Sequence, residues 1–182
     1  TYTVSSNGAC SGSSATKTFT VNNGVSTAAN TTSTSDLCEG STRTVSGTGT
    51  PSENGTGSLS GSTYSTGSIS SNENVTITYT VSSNGACSGS SATKTFTVNS
   101  NPSAAANTTS TSDLCEGSTR AVSGTGTPSE NGSGSISSGT YSTGTIGSNE
   151  IVTITYTVAA NGACPQTTSD VSFTVNNGVS TA

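Results

Sequence analysis

Two segments of the chain alternate regularly between apolar and hydroxyl side chains. In VTITYTV (75–81), Val, Ile and Tyr occupy every second position and Thr fills the positions between them. In ATKTFTV (92–98), Ala, Lys, Phe and Val alternate with Thr in the same way. This period-two pattern predicts strands that bury one face. Asn84-Gly85 lies between them and favours a turn with positive φ, so 75–98 is predicted to form the last two strands of a unit.

Shorter strands are predicted upstream of this hairpin. Strand-like segments are STRTVSGTG (41–49), GSLSGSTYS (57–65) and TGSIS (66–70), with turns predicted at PSENG (51–55) and SNEN (71–74). Six or seven short strands separated by regular turn signals are typical of an immunoglobulin-like β-sandwich. The predicted fold class is therefore all-β.

Internal repetition organises the whole chain. TYTV begins at Thr1, Thr78 and Thr155, so the offset is 77 residues. Residues 29–77 match residues 106–154 at 41 of 49 positions. The prediction is thus a series of tandem immunoglobulin-like sandwich repeats with a 77-residue period.

The repeat predicts three parts of the chain. Residues 1–28 are expected to be the C-terminal strands of a preceding repeat, whereas 29–105 and 106–182 are expected to be complete repeats. The first residues fall inside a strand pattern, and the last eight repeat residues 21–28. We therefore expect a segment of a much longer tandem array.

Composition narrows the functional classes. Ser (39) and Thr (38) make up 77 of the 182 residues, 27% of residues are hydrophobic and there is no His. Such a composition alone is compatible with disorder, but the alternation indicates ordered, thin β-domains.

The composition also excludes several functional classes. Without His, no Ser-His-Asp triad can form. Four basic against nine acidic residues argue against nucleic-acid binding, and no apolar run is long enough for a membrane span. We expect no enzyme activity, cofactor or metal.

The predicted core is small for a unit of 77 residues, so a covalent staple is expected. Five cysteines fall into two classes, one in DLCEG and one in NGAC. No CxxC or Cys/His spacing suggests a metal site, so disulfides and an oxidising compartment are the prediction. The cysteines are Cys10, Cys38, Cys87, Cys115 and Cys164.

Two pairings agree with the phase of the repeat, and a third option remains open. The favoured one joins Cys38 to Cys87 and Cys115 to Cys164, closing each unit on itself and leaving Cys10 unpaired. A second joins Cys10 to Cys38 and Cys87 to Cys115. A third joins Cys38 to Cys164 across adjacent domains. In the first two cases one cysteine is left over, Cys10 or Cys164, and it is expected to have its partner in a neighbouring repeat.

The order of motifs carries a family resemblance. A Cys-Glu-Gly entry, a Ser/Thr/Gly-rich middle and the series ITYTV, NGAC and FTVN resemble the immunoglobulin-like and polycystic-kidney-disease-like tandem repeats of large secreted surface proteins in Bacteroidetes-type bacteria. The resemblance implies stalks, adhesins or filaments without catalytic residues. It also implies a secreted, cell-surface location and self-association into a filament or fibre.

Several other side chains suggest chemistry more weakly. An acidic pair in DLCEG, Asp36 with Glu39 and Asp113 with Glu116, could contribute to a calcium site, although two carboxylates are few. Lys17 and Lys94 lie among asparagines, as in Lys–Asn crosslinks, but Val171 replaces the lysine in the third copy. Thr rows at 76, 78, 80 and 93, 95, 97 could bind ice or carry O-glycans. Five asparagines fit Asn-x-Ser/Thr: Asn30, Asn54, Asn74, Asn107 and Asn131.

The functional expectation is a structural repeat segment of a long extracellular bacterial protein that forms a stalk or filament. The alternative is an adhesin whose repeats recognise glycan or protein on a cell surface. Tyr64 and Tyr141 discriminate between the two. Exposed tyrosines would favour binding, and buried ones the structural role.

Overall fold

The computed structural model describes residues 1–178. The last four residues of the predicted second repeat, 179–182, lie outside the described residues. All regular structure in the described part is β-structure, arranged as an N-terminal hairpin and two sandwiches. The predicted all-β, immunoglobulin-like sandwich class is therefore confirmed. The hairpin strands are β1 (Tyr2–Val4) and β2 (Ser13–Ala15).

The first sandwich runs from β3 to β11. Its strands are β3 (Ala29–Asn30), β4 (Leu37–Cys38), β5 (Thr42–Thr44), β6 (Gly47–Thr48), β7 (Thr50–Glu53), β8 (Ser58–Ser60), β9 (Thr63–Ser65), β10 (Glu73–Val81) and β11 (Ser90–Asn99). One sheet has the order β4-β11-β10-β7, and a three-stranded sheet with the order β5-β9-β8 faces it. β3 and β6 form a small third sheet. Most pairings are antiparallel, but β4 runs parallel to β11.

The second sandwich repeats this topology from β12 to β20. Its strands are β12 (Ala106–Asn107), β13 (Leu114–Cys115), β14 (Thr119–Ala121), β15 (Gly124–Thr125), β16 (Thr127–Glu130), β17 (Ser135–Ser137), β18 (Thr140–Ser142), β19 (Glu150–Val158) and β20 (Thr167–Asn176). The four-stranded sheet has the order β13-β20-β19-β16, and β13 again runs parallel to β20.

The predicted terminal hairpin is confirmed. β10 and β11 pair along their length, and Val75 lies opposite Phe96. Gly85 in the connecting turn has φ +57°, a conformation that glycine adopts without steric cost. The alternation places Val75, Ile77 and Phe96 in the core and Thr76 opposite Thr95 on the outer face.

The weaker sequence signals were partly wrong. PSENG was predicted as a turn, but Pro51 and Glu53 belong to β7. β7 is the edge strand of its sheet, where a residue without an N–H is tolerated. TGSIS was predicted as a strand, but no strand forms at 66–70. The Ile69 N–H donates instead to the Glu39 carboxylate at 3.4 Å.

GSLSGSTYS is a hairpin rather than one strand, because Gly61 opens a two-residue turn between β8 and β9. Gly61 has φ +58°. The second sandwich exchanges the residues at this turn for Ser138-Gly139, and both residues have positive φ. Positive φ at both central residues is the pattern of a type I′ turn, whereas Gly at the first position suits type II′. The same hairpin therefore closes through two turn chemistries.

Each sandwich has one small aromatic core. In the first sandwich Tyr64 and Phe96 meet edge to face, with ring centroids 5.6 Å apart. The facing sheets contribute the other buried apolar side chains, and Tyr141 with Phe173 repeats the arrangement in the second sandwich. Of the alternating apolar residues in 75–81, Val75, Ile77 and Tyr79 lie in this core, whereas Val81 is half-buried and lies outside the cluster.

The Tyr64 hydroxyl is a buried polar group without a hydrogen-bond partner among the described residues. Burial, with smaller contributions from Glu73 and Glu53, raises the pKa of Tyr64 to about 12 from 10.0. The folded state therefore retains a proton that the unfolded chain releases above pH 10. The raised pKa of Tyr64 therefore leaves the free energy of unfolding unchanged below pH 10 and lowers it as the pH rises from 10 toward 12.

We expect Tyr64→Phe to raise the free energy of unfolding by about 1 kcal/mol at pH 7, because an unsatisfied buried hydroxyl is removed. The variant should also lose part of the decline in stability between pH 10 and 12. Urea unfolding at pH 7, 10 and 11.5 measures both effects. Tyr2→Phe is the matched control, because Tyr2 is 83% exposed. A destabilised Tyr64→Phe variant would contradict this interpretation.

Candidate functional site

The junction between the two sandwiches brings together side chains from distant parts of the sequence. On the first sandwich, β4 and β11 lie parallel, so Cys38 sits beside Asn99. Asn99 is 4% exposed and ends β11. Both residues therefore lie at the end of the sandwich from which the chain continues toward the second one.

The second sandwich presents the turn of its long hairpin to this end. In the turn, Asn161 and Cys164 exchange two backbone hydrogen bonds of 3.1 and 2.9 Å. Gly162 has φ +54°, and a Cβ there would lie 2.4 Å from Asn99 Cγ. Glycine is thus required twice, for its conformation and for the close approach of the turn to Asn99.

A disulfide joins Cys38 to Cys164, with 4.7 Å between the Cα atoms. This corrects the favoured pairings of Cys38 with Cys87 and of Cys115 with Cys164. The alternative across adjacent domains is the one observed. Cys10, Cys87 and Cys115 are free.

The reason for the correction is the length of β11. Cys87 lies in the turn before β11, whereas Cys38 pairs beside Asn99 at its far end. At about 3.3 Å per residue, the ten-residue strand separates the two positions by roughly 30 Å. A disulfide needs Cα atoms within about 7 Å. The two cysteine classes therefore lie at opposite ends of each sandwich and can meet only between sandwiches.

Amide side chains surround the disulfide. Asn161 donates to Asn72 Oδ1 at 2.8 Å and accepts from Asn72 Nδ2 at 3.2 Å. The same Asn161 amide donates to the Ser100 carbonyl at 2.8 Å. The Ala163 N–H donates to Asn99 Oδ1 at 2.9 Å. The turn is thus held by several directional contacts as well as by the covalent bond.

The predicted acidic pair has another role within the described residues. Glu39 Oε2 accepts from the Asn101 N–H at 3.1 Å, tying the connecting segment to the first sandwich. Asp36 accepts from the Thr97 N–H at 3.2 Å, and Glu116 and Asp113 repeat both contacts. No group of three or more His, Cys, Asp or Glu in the described part could hold a metal ion.

The other candidates lie away from the junction. Lys94 is exposed on β11, and Thr76 bonds Thr95 across the outer face at 2.9 Å. Several of the candidate glycosylation asparagines are structural acceptors or donors: Asn30 donates to the Ile77 carbonyl and Asn54 accepts from the Thr76 N–H. Tyr64 and Tyr141, the proposed discriminators, are both 0% exposed. They therefore offer no platform to a glycan.

Sequence reasoning missed the asparagines of the junction and the two buried arginines. Asn72 lies in the predicted SNEN turn, Asn161 lies in an NGAC segment, and Asn99 ends the FTVN strand pattern, so none of them was singled out as a contact residue. Arg43 was counted only as one of four basic residues, yet it is 8% exposed with its guanidinium 4.3 Å above the Phe96 ring. The available signal was that Arg43 recurs as Arg120 in a sequence that otherwise avoids charge.

No ligand-sized cavity opens among the described residues. Nor does residue range 1–178 contain a helix long and apolar enough to cross a membrane.

No family model matches the sequence, and no curated protein matches it. Among solved structures, the I-band fragment I67–I69 from titin is similar at 10% identity and TM-score 0.40, covering 84% of this chain and 66% of that one. The protocadherin GammaB4 extracellular domain is similar at 12% identity and TM-score 0.35, covering 84% and 33%. Protocadherin Gamma C5 EC1-3 is similar at 10% identity and TM-score 0.36, covering 82% and 68%. The chain thus spans about a third of the length of the GammaB4 structure.

Proposed function

We propose that this chain is a structural repeat segment of a long extracellular bacterial surface protein that forms a stalk or filament. The observation that carries the proposal is the Cys38–Cys164 bond between consecutive sandwiches. A bond within each unit would stabilise a domain, whereas a bond between units restrains their separation and relative motion. The resemblance of ITYTV, NGAC and FTVN to bacterial surface repeats supports the same role.

The proposed units are residues 29–105 and 106–182, preceded by the last strands of another repeat in 1–28. The hairpin β1–β2 and the segment after it support this division. Phe19 and Val21 are 87% and 80% exposed, whereas their equivalents Phe96 and Val98 are core residues at 3% and 0%. Residues 1–28 thus carry the apolar pattern of sandwich strands, and no sheet in the described residues covers these side chains.

The bond gives the segment a mechanical property. Cys38 and Cys164 are 126 residues apart in sequence. A chain pulled from its termini transmits force through the disulfide, and the residues between the two cysteines carry none of it. At about 3.3–3.6 Å per extended residue, the shielded length is roughly 420–450 Å. Resistance to extension is the property that a stalk requires.

An oxidising, extracellular location follows from the proposal, because such a bond persists outside reducing compartments. The hydroxyl-rich chain has few charges, with 7% of residues charged and a formal net charge of −5. End-to-end association into a filament is the partner class we propose. The alternative, an adhesin, loses its expected anchors because Tyr64 and Tyr141 are buried.

Single-molecule stretching tests the proposal. The chain is held at both termini in a variant with Cys10, Cys87 and Cys115 changed to Ser, which leaves only the bonded pair. We expect the fully extended chain to be roughly 420–450 Å longer after reduction than before it. The same variant with Cys38→Ser is the control and should not respond to reductant.

Equal extended lengths before and after reduction would contradict the stalk mechanism. So would glycan binding by chains whose two sandwiches move independently under oxidising conditions, since that outcome favours the adhesin.

A further inference from the structure

The NGAC turn occurs three times in the chain, in three different surroundings. Cys164 is bonded and 1% exposed. Cys87 is half-buried, and Cys10 is exposed. Because the four turn residues are identical in each copy, the difference comes from what the turn packs against.

The turn that carries Cys87 is seated like the bonded one. A Cβ on Gly85 would lie 2.3 Å from Asn22 Nδ2, which matches the closeness of Gly162 to Asn99. Asn84 donates to the Asn23 carbonyl at 3.1 Å, as Asn161 does to Ser100. The Cys87 sulfur lies 3.8 Å from the Asn22 carbonyl oxygen. Half of a junction is therefore present, since no strand in residues 1–178 carries a cysteine beside Asn22.

The end of the second sandwich presents the other half. Cys115 pairs beside Asn176 in the register that places Cys38 beside Asn99. Cys38 is half-buried under the incoming turn, whereas Cys115 is exposed. The free end of the second sandwich therefore positions Cys115 as the bonded end of the first sandwich positions Cys38.

The asparagines at this end are also arranged for an incoming turn. Asn149 and Asn176 are the counterparts of Asn72 and Asn99, and Asn149 donates to Asn176 Oδ1 at 3.0 Å. In the occupied junction, Asn72 and Asn99 instead hold the turn at Asn161 and Ala163. An arriving turn would exchange one contact between the two asparagines for several contacts to itself.

We propose that Cys115 is a disulfide site for the NGAC cysteine of a following copy of this unit, and that Cys87 is the site for the DLCEG cysteine of a preceding copy. The proposal rests on the structural role inferred above and names the partner at each end. Two thiols lose two protons and two electrons, and a small-molecule disulfide accepts them by thiol–disulfide exchange, leaving as two thiols.

The bonds formed in this way overlap. Cys115 lies between Cys38 and Cys164 in sequence, so its bond to the next unit begins inside the loop that the first bond closes. Consecutive units would then be connected by two covalent paths, the backbone and the series of disulfides. A single backbone cleavage in such an array would not separate it.

The test lengthens the chain by a second copy of residues 106–182 fused after residue 182. The protein is oxidised with glutathione disulfide, free thiols are alkylated, and linked peptides are mapped without reduction. We expect Cys115 to be linked to the added cysteine that is equivalent to Cys164, within a monomer by non-reducing gel. Cys10 should be alkylated, because nothing lies within 4 Å of the Cβ position of Gly8 in its turn.

In a matched variant, the added cysteine that is equivalent to Cys164 is changed to Ser. Cys115 should then be alkylated, while the Cys38–Cys164 bond stays intact. Circular dichroism establishes that both chains fold. Alkylated Cys115 in the lengthened chain, or Cys115 linked to any other cysteine or to a second chain, would overturn the proposal. If Cys38–Cys164 forms in that case, the proposed function of the segment still stands, so the two failures are distinguishable.

Discussion

Replacing Arg43 with Met is expected to lower the free energy of unfolding of the first sandwich by roughly 2–4 kcal/mol. The Arg43 guanidinium donates to the Ser33 carbonyl at 2.9 Å and to the Ser35 carbonyl. It also lies 4.3 Å above the Phe96 ring. Met retains an unbranched chain of similar reach but leaves both carbonyls without their donor and removes the cation over the ring.

The repeat supplies the reference for this measurement. Arg120 makes the same contacts with Ser110, Ser112 and Phe173 in the second sandwich. In a Cys38→Ser background, where no bond joins the two sandwiches, urea unfolding of Arg43→Met should therefore separate into two transitions, with the second sandwich at the midpoint it has in that background. Lys94→Met on exposed β11 is the control and should change the free energy by less than about 0.5 kcal/mol. An Arg43→Met variant as stable as this control would show that the guanidinium contacts add nothing.

The long hairpins could be predicted because their alternation spans many residues. β10 and β19 each contain nine residues, and the phase of Val, Ile and Tyr in them determines which face is buried. Strands such as β3 and β4 have two residues each. Two residues carry no period, and their pairing depends on partners far along the chain, so local pattern could not reveal them.

The junction was harder to predict because it depends on contacts between residues more than 60 positions apart. Asn161 reaches Ser100 across 61 residues, and Cys164 lies beside Asn99 across 65. Nevertheless, the predicted hairpin already placed Cys87 at a turn. Once β4 is known to pair with the far end of β11, a bond within the unit is excluded by distance. The missing information was therefore the parallel pairing of one two-residue strand.

Changing Cys38 to Ser is expected to lower the free energy of unfolding of either sandwich by about 4 kcal/mol. While one sandwich stays folded, the bond holds the other at two points. For the second sandwich these points are Asn99 and Cys164, which are 65 residues apart. Closing a loop of this length in the unfolded chain removes entropy that corresponds to about 4 kcal/mol in the chain-entropy model. The bond therefore makes each sandwich stabilise its neighbour.

Urea unfolding of the oxidised chain measures this coupling in a background with Cys10, Cys87 and Cys115 changed to Ser. Cys38→Ser and Cys164→Ser remove the same bond, so they should cause equal losses in both sandwiches, and adding reductant to the parent should reproduce them. Asn72→Ala tests the noncovalent part, because it removes the amide contacts to Asn161 and leaves the disulfide; its cost should be about 1 kcal/mol. If Cys38→Ser cost no more than Asn72→Ala, the bond would fix only the arrangement of two independent domains. A loss near 4 kcal/mol would mean that each folded sandwich stabilises its neighbour through the bond. A row of sandwiches with small cores requires this coupling, because otherwise each sandwich could unfold by itself.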